Sequence, residues 1–186
     1  MRGTYEMIGL AATRIFRAGV MIVALGAFET ARAEETFGTP DVSFVDAGGG
    51  RVDLRDFRGR ALVLNLWATW CAPCVRELPS LERLHESLLA NGGQVAALSV
   101  DRGESAGVAL FLRELGVSRL PVYLDATGGV MASLAVSGLP TTLLIDPEGR
   151  EIGRLEGVVD WDSVEMRRRL RDYGFLPLGI RGRRTP

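Results

Sequence analysis

The apolar residues of this chain follow two different spacings, and the changes between them divide the chain into strands and helices. Residues 61–67 form a continuous run of largely apolar residues, which predicts a strand buried on both faces. Apolar residues then recur at helical spacing, at Val75, Leu78, Leu81, Leu84, Leu88 and Leu89. Further strands are predicted at 95–100, 122–124 and 143–146, and further helices at 104–115, 130–136 and 161–173. Strands that alternate with helices in this way predict parallel βαβ units.

Two hairpins are predicted beside these units. Residues 41–45 and 51–54 alternate apolar and polar positions around three glycines at 48–50, which is typical of a β-hairpin. Residues 151–155 are predicted to pair with strand 143–146 across an Asp-Pro-Glu-Gly turn. The chain is therefore expected to be an α/β protein that begins with a β-hairpin.

The last predicted helix, 161–173, is rich in arginine. Its buried face is expected to include Val164, Leu170 and Tyr173. Its arginines are expected to lie mostly outside, at Arg167, Arg168, Arg169 and Arg171. A solvated helix face explains this run better than contact with anionic lipid does. Residues 177–186 are expected to form a flexible basic tail.

The first 33 residues have the features of a secretory signal peptide. Three arginines precede an apolar run at 18–28, and Ala31-Arg32-Ala33 then offers a cleavage site between small residues. The apolar run has 11 residues, whereas a helix that spans a bilayer needs about twenty. We therefore expect a mature chain that begins at Glu34 and lies in the periplasm. Retention of the segment as an inner-membrane anchor is the alternative.

Composition limits what the remaining domain, residues 34–176, is expected to do. The chain is 47% hydrophobic, which is enough for an ordinary core, and its net charge of −1 gives no sign of a nucleic-acid surface. Its 2 cysteines lie close together. In an exported chain this pattern favours thiol–disulfide exchange over a disulfide scaffold.

Both cysteines lie where the first buried strand passes into the helix that follows it. The N-terminus of a helix stabilises a thiolate, which is the nucleophilic form of cysteine. We expect Cys71 to be the more exposed sulfur and to attack a partner disulfide. Cys74, one turn further on, would then resolve the mixed disulfide and leave a Cys71–Cys74 disulfide. Pro73 suits a helix start, because its missing N–H has no partner to lose there.

Other uses of a Cys-x-x-Cys pair fit this chain less well. A structural disulfide across so short a loop would stabilise a domain of this size little. A zinc site needs about two more ligands, and His85 is the one histidine. A c-type haem site needs histidine directly after the second cysteine, where Val75 stands.

The sequence Trp-Ala-Thr-Trp-Cys-Ala-Pro-Cys at 67–74 resembles the active site of the thioredoxin superfamily. Its extension at 75–79, Val-Arg-Glu-Leu-Pro, resembles the TlpA/ResA/CcmG branch of exported thiol–disulfide oxidoreductases. The similarity extends from about residue 40 to residue 173. It implies a thioredoxin-like fold of the α/β class, with a central mixed β-sheet flanked by helices and an N-terminal β-hairpin.

The same resemblance implies a second part of the site around Pro140. In the superfamily a cis proline at this point packs against the two cysteines, so a cis Leu139–Pro140 bond is expected. The backbone of Leu139 would then pair with an extended substrate beside Cys71. Trp70 and Pro73 are expected to line the substrate groove.

Two polar positions distinguish this branch from the common thioredoxin pattern. A buried aspartate six residues before the first cysteine is replaced here by Asn65, which cannot titrate. The branch instead carries a glutamate three residues after the second cysteine, and Glu77 matches it. Glu77 is therefore expected to lie near Cys74 and to exchange its proton, unless it merely stabilises the start of the helix. Trp67 is expected in the core, and His85 is assigned no role.

The resemblance implies an enzyme that reduces protein disulfides, with no cofactor and no metal. Its substrates would be apocytochrome c before haem attachment or a copper-site protein, and a membrane thiol carrier of the DsbD/CcdA type would recharge it. A monomer is expected. A periplasmic disulfide oxidase or isomerase is the alternative, because the same motif works in both directions. A copper carrier is a further alternative, although known carriers of similar fold have a wider cysteine spacing and a distant histidine ligand.

Overall fold

The described part of the chain forms one mixed sheet with helices on both faces. The structure is a computed structural model that describes residues 41–103 and 105–177. The predicted signal peptide and the tail after residue 177 lie outside the described residues. The strands are β1 (Ser43–Asp46), β2 (Arg51–Asp53), β3 (Leu62–Trp67), β4 (Gln94–Ser99), β5 (Val122–Leu124), β6 (Thr141–Ile145) and β7 (Glu151–Glu156). The helices are α1 (Ala72–Leu89), α2 (Ser105–Glu114), α3 (Val130–Ser133) and α4 (Val164–Asp172), with a 3₁₀ turn at Leu54–Phe57.

Within these residues the sheet has the strand order β2-β1-β5-β4-β3-β6-β7. Strand β4 is parallel to β3 and β5, whereas β6 runs antiparallel to both β3 and β7. The N-terminal hairpin of β1 and β2 joins the sheet by an antiparallel pairing between β1 and β5. The predicted central mixed sheet with flanking helices and an N-terminal hairpin is thus confirmed.

Strand β3 is buried along its whole length because helices or the hairpin cover both of its faces. Val63 and Trp67 point into a core shared with the leucines of α1, among them Leu78 and Leu81. The alternate residues Leu62, Leu64 and Leu66 point into a second core beneath the hairpin and α3. This two-sided burial explains the continuous apolar run and fixes the point at which α1 begins.

The predicted buried face of the last helix is wrong in two of its three residues. The helix begins at Val164, after an N-cap at Ser163, rather than at residue 161. Val164 is 82% exposed and Tyr173 is 40% exposed, whereas Met166 and Leu170 are buried. The later start moves the apolar stripe, so that Met166 and Leu170, one turn apart, carry the contact with the core.

The other differences concern ends of elements. Leu89, at the end of α1, is 55% exposed, so the buried stripe of that helix ends at Leu88. Helix α3 ends at Ser133, three residues before its predicted end. Ala135 follows it with a φ of 50°, a left-handed conformation that a helix cannot contain. Among the described residues, no helix combines the length and apolar character that crossing a membrane requires.

Candidate active site

Cys71 and Cys74 form a disulfide at the N-terminus of α1, at the carboxyl end of β3. The two sulfurs are 2.06 Å apart, and Cys71 is the N-cap residue of the helix. The amide of Cys74 donates a hydrogen bond to the sulfur of Cys71 at 3.3 Å. No acidic residue lies in the first turn of α1, so no carboxylate of that turn weakens the stabilisation of a Cys71 thiolate by the helix dipole.

Burial separates the two sulfurs as the sequence predicts. Cys71 is 6% exposed and Cys74 is 0% exposed. An external disulfide can therefore be reached from Cys71, whereas Cys74 can be reached only from within the protein. The difference in exposure suits the expected roles, in which Cys71 attacks and Cys74 resolves.

The loop before Cys71 is held by a carboxylate that sequence reasoning missed. Asp101 lies just after β4 and accepts hydrogen bonds from the amide of Thr69 at 2.9 Å and from its hydroxyl at 2.7 Å. The hydroxyl of Ser99 donates to the same carboxylate at 2.6 Å. Trp70 follows Thr69 and is 71% exposed. Asp101 thus fixes the backbone that presents Trp70 to solvent and leads into Cys71.

Glu77 lies on α1 one turn beyond Cys74 and is almost completely buried, with 2% of its surface exposed. Residues three apart on a helix are neighbours on one face, so its carboxylate lies on the side of Cys74. The side-chain amide of Asn65 donates to one carboxylate oxygen at 2.7 Å, and the backbone amide of Val159 donates to the other at 2.9 Å. Burial raises the pKa of Glu77 above its ordinary value, and these two hydrogen bonds oppose the rise.

Asn65 and Glu77, which the sequence presents as separate features, are direct partners. The nitrogen of the Asn65 amide donates both to Glu77 and to the hydroxyl of Thr142, the latter at 2.9 Å. Its oxygen is buried and has no hydrogen-bond partner among the described residues. The amide therefore turns its donors toward Glu77 and leaves its own acceptor unpaired, an orientation that suits an ionised carboxylate.

The segment around Pro140 closes the other side of the site. The Leu139–Pro140 bond is cis, as predicted. Leu139 packs against the core that contains both cysteines. The amide of Gly157 donates to the carbonyl of Pro140 at 2.9 Å. Because Val159 in turn bonds Glu77, residues 157–159 connect the Pro140 segment to the carboxylate.

The backbone of Leu139 is available to a partner. Its N–H and C=O form no hydrogen bond with any other residue in the described ranges. Strand β6 begins two residues later, at Thr141, where the ladder with β3 and β7 starts. An extended peptide that approached Cys71 could therefore pair with Leu139 without breaking a bond of the sheet.

The remaining predicted positions are distributed between surface and core. Pro73 is exposed beside the disulfide, at the same end of α1 as Trp70. Trp67 is completely buried and stacks on Phe111 at a ring-centre distance of 6.3 Å, so its core assignment is confirmed. His85 is buried, and its Nδ1 accepts a hydrogen bond from the amide of Val95 at 3.2 Å. Burial lowers the pKa of His85, so its neutral ring acts as a link between α1 and β4.

Comparisons with known proteins agree with this geometry. The AhpC/TSA family model matches residues 38–150. The chain is 32% identical to the thiol–disulfide oxidoreductase ResA of Bacillus thuringiensis subsp. konkukian over 126 residues, which cover 68% of this chain and 72% of that protein. It is 35% identical to ResA of Bacillus subtilis over 120 residues, which cover 64% of this chain and 66% of that one.

Among solved structures, a thiol:disulfide interchange protein DsbE from Chlorobium tepidum matches with a TM-score of 0.66 and 26% identity. The match covers 74% of this chain and 95% of that one. A DsbF homologue from Corynebacterium diphtheriae has the same fold, with a TM-score of 0.61 and 24% identity over 75% of this chain and 87% of that one.

Proposed function

The chain belongs to the AhpC/TSA family and is a thiol–disulfide oxidoreductase of thioredoxin fold similar to ResA, and from this premise we propose that it reduces disulfides in partner proteins outside the cytoplasm. One arrangement supports this proposal above all. A slightly exposed Cys71 caps a helix beside a fully buried Cys74, and a buried carboxylate, Glu77, lies one turn further on.

The reduced form of the pair would carry out the reaction in two steps. The Cys71 thiolate attacks one sulfur of the substrate disulfide, so that a mixed disulfide forms and the other substrate sulfur leaves as a thiolate. Cys74 then loses its proton to the Glu77 carboxylate and attacks the sulfur of Cys71. The second substrate thiolate leaves, and two electrons have passed from the cysteine pair to the substrate. The product is the disulfide that the structure contains.

The surface around Cys71 supports a polypeptide substrate rather than a small molecule. Leu139 offers an unpaired backbone N–H and C=O to an extended strand. Trp70 is largely exposed and, with Thr69, Asp101 and Phe111, lines a surface cavity of about 440 Å³ next to the disulfide loop. A substrate side chain beside the reacting cysteine would fit against this aromatic wall.

Substrate, location and electron source complete the proposal. We place the mature chain in the periplasm after cleavage before Glu34, since residues 1–33 have the charge and apolar pattern of a signal peptide. Apocytochrome c or a copper-site protein would be the substrate, and a membrane thiol carrier of the DsbD/CcdA type would return the pair to its dithiol form. Sequencing the N-terminus of the protein recovered from the periplasmic fraction tests both points, because absence from that fraction would contradict the location and a retained leader would contradict cleavage.

The reduction potential of the Cys71–Cys74 pair tests the direction of electron flow. Ala72 and Pro73, between the cysteines, provide no positive charge or imidazole to favour the reduced thiolate strongly. Equilibration with thiol buffers is therefore expected to give a value at or below roughly −230 mV, as for reductants. A value above about −150 mV would instead identify an oxidant and would contradict the proposal.

A further inference from the structure

One arginine holds the start of the segment that leads to Pro140. Arg154 lies on the outer strand β7, and its guanidinium donates hydrogen bonds to two consecutive backbone carbonyls. The carbonyl of Ala135 accepts at 3.0 Å and that of Leu134 at 2.9 Å. Both carbonyls lie just beyond the end of α3, where a helix leaves its last C=O groups without internal partners.

A carboxylate orients this guanidinium. Glu151, three residues earlier on β7, accepts from Nε of Arg154 at 2.7 Å and from Nη2 at 2.8 Å. The side chains are largely shielded, with 27% of Arg154 and 16% of Glu151 exposed. A planar guanidinium can serve a carboxylate on one edge and two carbonyls on the other, whereas a lysine ammonium cannot.

The backbone that Arg154 holds contains an unfavourable conformation, which the amide of Val136 also supports by donating a hydrogen bond to the carbonyl of Met131 at 2.8 Å. Ala135 has a φ of 50°, which is unfavourable for a residue with a Cβ. Such residues persist where their surroundings determine the backbone. At the far end of the segment, the hydroxyl of Thr141 donates to the carbonyl of Gly138 at 2.8 Å. Leu139 lies within the turn that this second bond closes.

We propose that Arg154, oriented by Glu151, is a positioning residue for protein substrates: it fixes residues 134–140 so that the backbone of Leu139 is presented to an extended substrate strand. This inference rests on the proposed function, because it concerns the capture of a polypeptide and not the redox chemistry of Cys71 and Cys74. Arg154 acts through the segment and touches neither sulfur nor substrate.

The proposal predicts that loss of Arg154 affects large and small disulfides differently. The reduced protein would be mixed in a stopped-flow instrument with an extended peptide whose central cysteine carries a glutathione disulfide. In parallel it would be mixed with glutathione disulfide, a small disulfide with the same leaving thiol, which reacts at Cys71 without an extended strand that reaches Leu139. In Arg154→Met, the ratio of the peptide rate to the small-molecule rate should fall by about tenfold, because misplaced substrate contacts slow a reaction without altering the reacting groups. The reduction potential should remain that of the wild type.

Matched variants separate positioning from stability. Arg150→Met removes another ion-paired arginine of the same hairpin, which bonds Asp146 and not the segment, so its ratio should stay at the wild-type value. Arg154→Lys keeps the positive charge but loses the planar guanidinium that bonds Glu151 and both carbonyls. Its ratio of peptide rate to small-molecule rate should fall as in Arg154→Met. If Arg154→Met folds poorly, Ala135→Gly in the same chain removes the unfavourable φ without restoring the carbonyl bonds. That double variant should fold and still show the lowered ratio.

The two rates separate a failure of the proposed function from a failure of the role proposed for Arg154. A wild-type protein that reacts no faster with the peptide than with the small disulfide would overturn the proposed function, and this inference with it. A wild type that prefers the peptide, together with an unchanged ratio in Arg154→Met or in the double variant, would overturn the positioning role alone. A lower potential or a parallel fall of both rates would likewise assign Arg154 to the general integrity of the fold.

Discussion

The hydrogen bond between Asn65 and Glu77 controls the proton affinity of the carboxyl group beside Cys74, and the variant Asn65→Ala measures that control. Burial raises the pKa of Glu77, while Asn65 and the amide of Val159 stabilise the ionised form. A hydrogen bond to a charged group contributes roughly 1.5–3 kcal/mol, and about 1.4 kcal/mol corresponds to one pKa unit. Asn65→Ala should therefore raise the pKa of Glu77 by about one to two further units.

The oxidised protein is the appropriate sample for this measurement. Its cysteines are joined and do not titrate, so a ¹³C NMR titration of the Glu77 carboxyl carbon reports on that group without interference from a neighbouring thiol. Thr142→Val is the matched control, because it removes the other partner of the Asn65 amide and leaves both donors to Glu77 in place. The pKa of Glu77 should change little in that variant.

The direction in which the pKa of Glu77 moves in Asn65→Ala tests whether Asn65 stabilises the carboxylate. An unchanged or lowered pKa of Glu77 in Asn65→Ala would show that Asn65 does not stabilise the carboxylate, and the orientation of its amide toward Glu77 would be refuted. In the reduced protein the same variant should move the pH midpoint of the resolving step upward. Glu77 must be ionised to accept the proton of Cys74, and a higher pKa requires a higher pH for that.

Three further predictions follow from the site and its supports. Cys74→Ser should accumulate a mixed disulfide between Cys71 and a substrate protein on a non-reducing gel, whereas Cys71→Ser should trap nothing; equal trapping by both would contradict the assignment of roles. Because the folded state raises the pKa of Glu77, the stability that this carboxyl group contributes should be lost as the pH rises above about 4.5 through the raised pKa. Glu77→Gln should abolish that loss in urea denaturation at pH 4 and pH 7, and an unchanged pH dependence would be inconsistent with a buried titrating carboxyl. Ala135→Gly should stabilise the protein by about 1 kcal/mol in urea denaturation, since glycine tolerates the positive φ; a loss of stability would show that the side chain of Ala135 contributes contacts of its own.

The sequence was sufficient for the parts of the site that depend on local pattern. A continuous apolar run, two cysteines and a helical stripe place the disulfide at a strand-to-helix junction, and the structure has it there. The cis bond before Pro140 was predicted from resemblance to a family and not from physical chemistry, since Leu-Pro sequences are compatible with both isomers. Local sequence pattern therefore predicted the position of the two cysteines but not the Pro140 segment that packs beside them.

The contacts that tune the site join residues far apart in the chain. Glu77 and Val159 are 82 positions apart, and Thr69 and Asp101 are 32 apart. No periodicity predicts such pairs, because they depend on which loops the completed sheet brings together. The error in α4 has a different origin. The apolar residues from 161 to 173 fit more than one helical stripe, and the N-cap at Ser163 selects the one that contains Met166.

The two edge strands of the sheet differ from Leu139 in how readily they can pair with another chain. An unpaired strand invites other chains to add to it, and this is how folded proteins begin to aggregate. Here the border strand β2 has only 3 residues. At the other border, β7 pairs with β6 through an irregular register and carries Glu151, Arg154 and Glu156. Both edge strands therefore disfavour pairing with other chains. The unpaired backbone of Leu139, in contrast, remains able to pair with one. Under the proposed function, a strand of a partner protein would pair beside the disulfide, whereas both borders of the sheet disfavour such pairing.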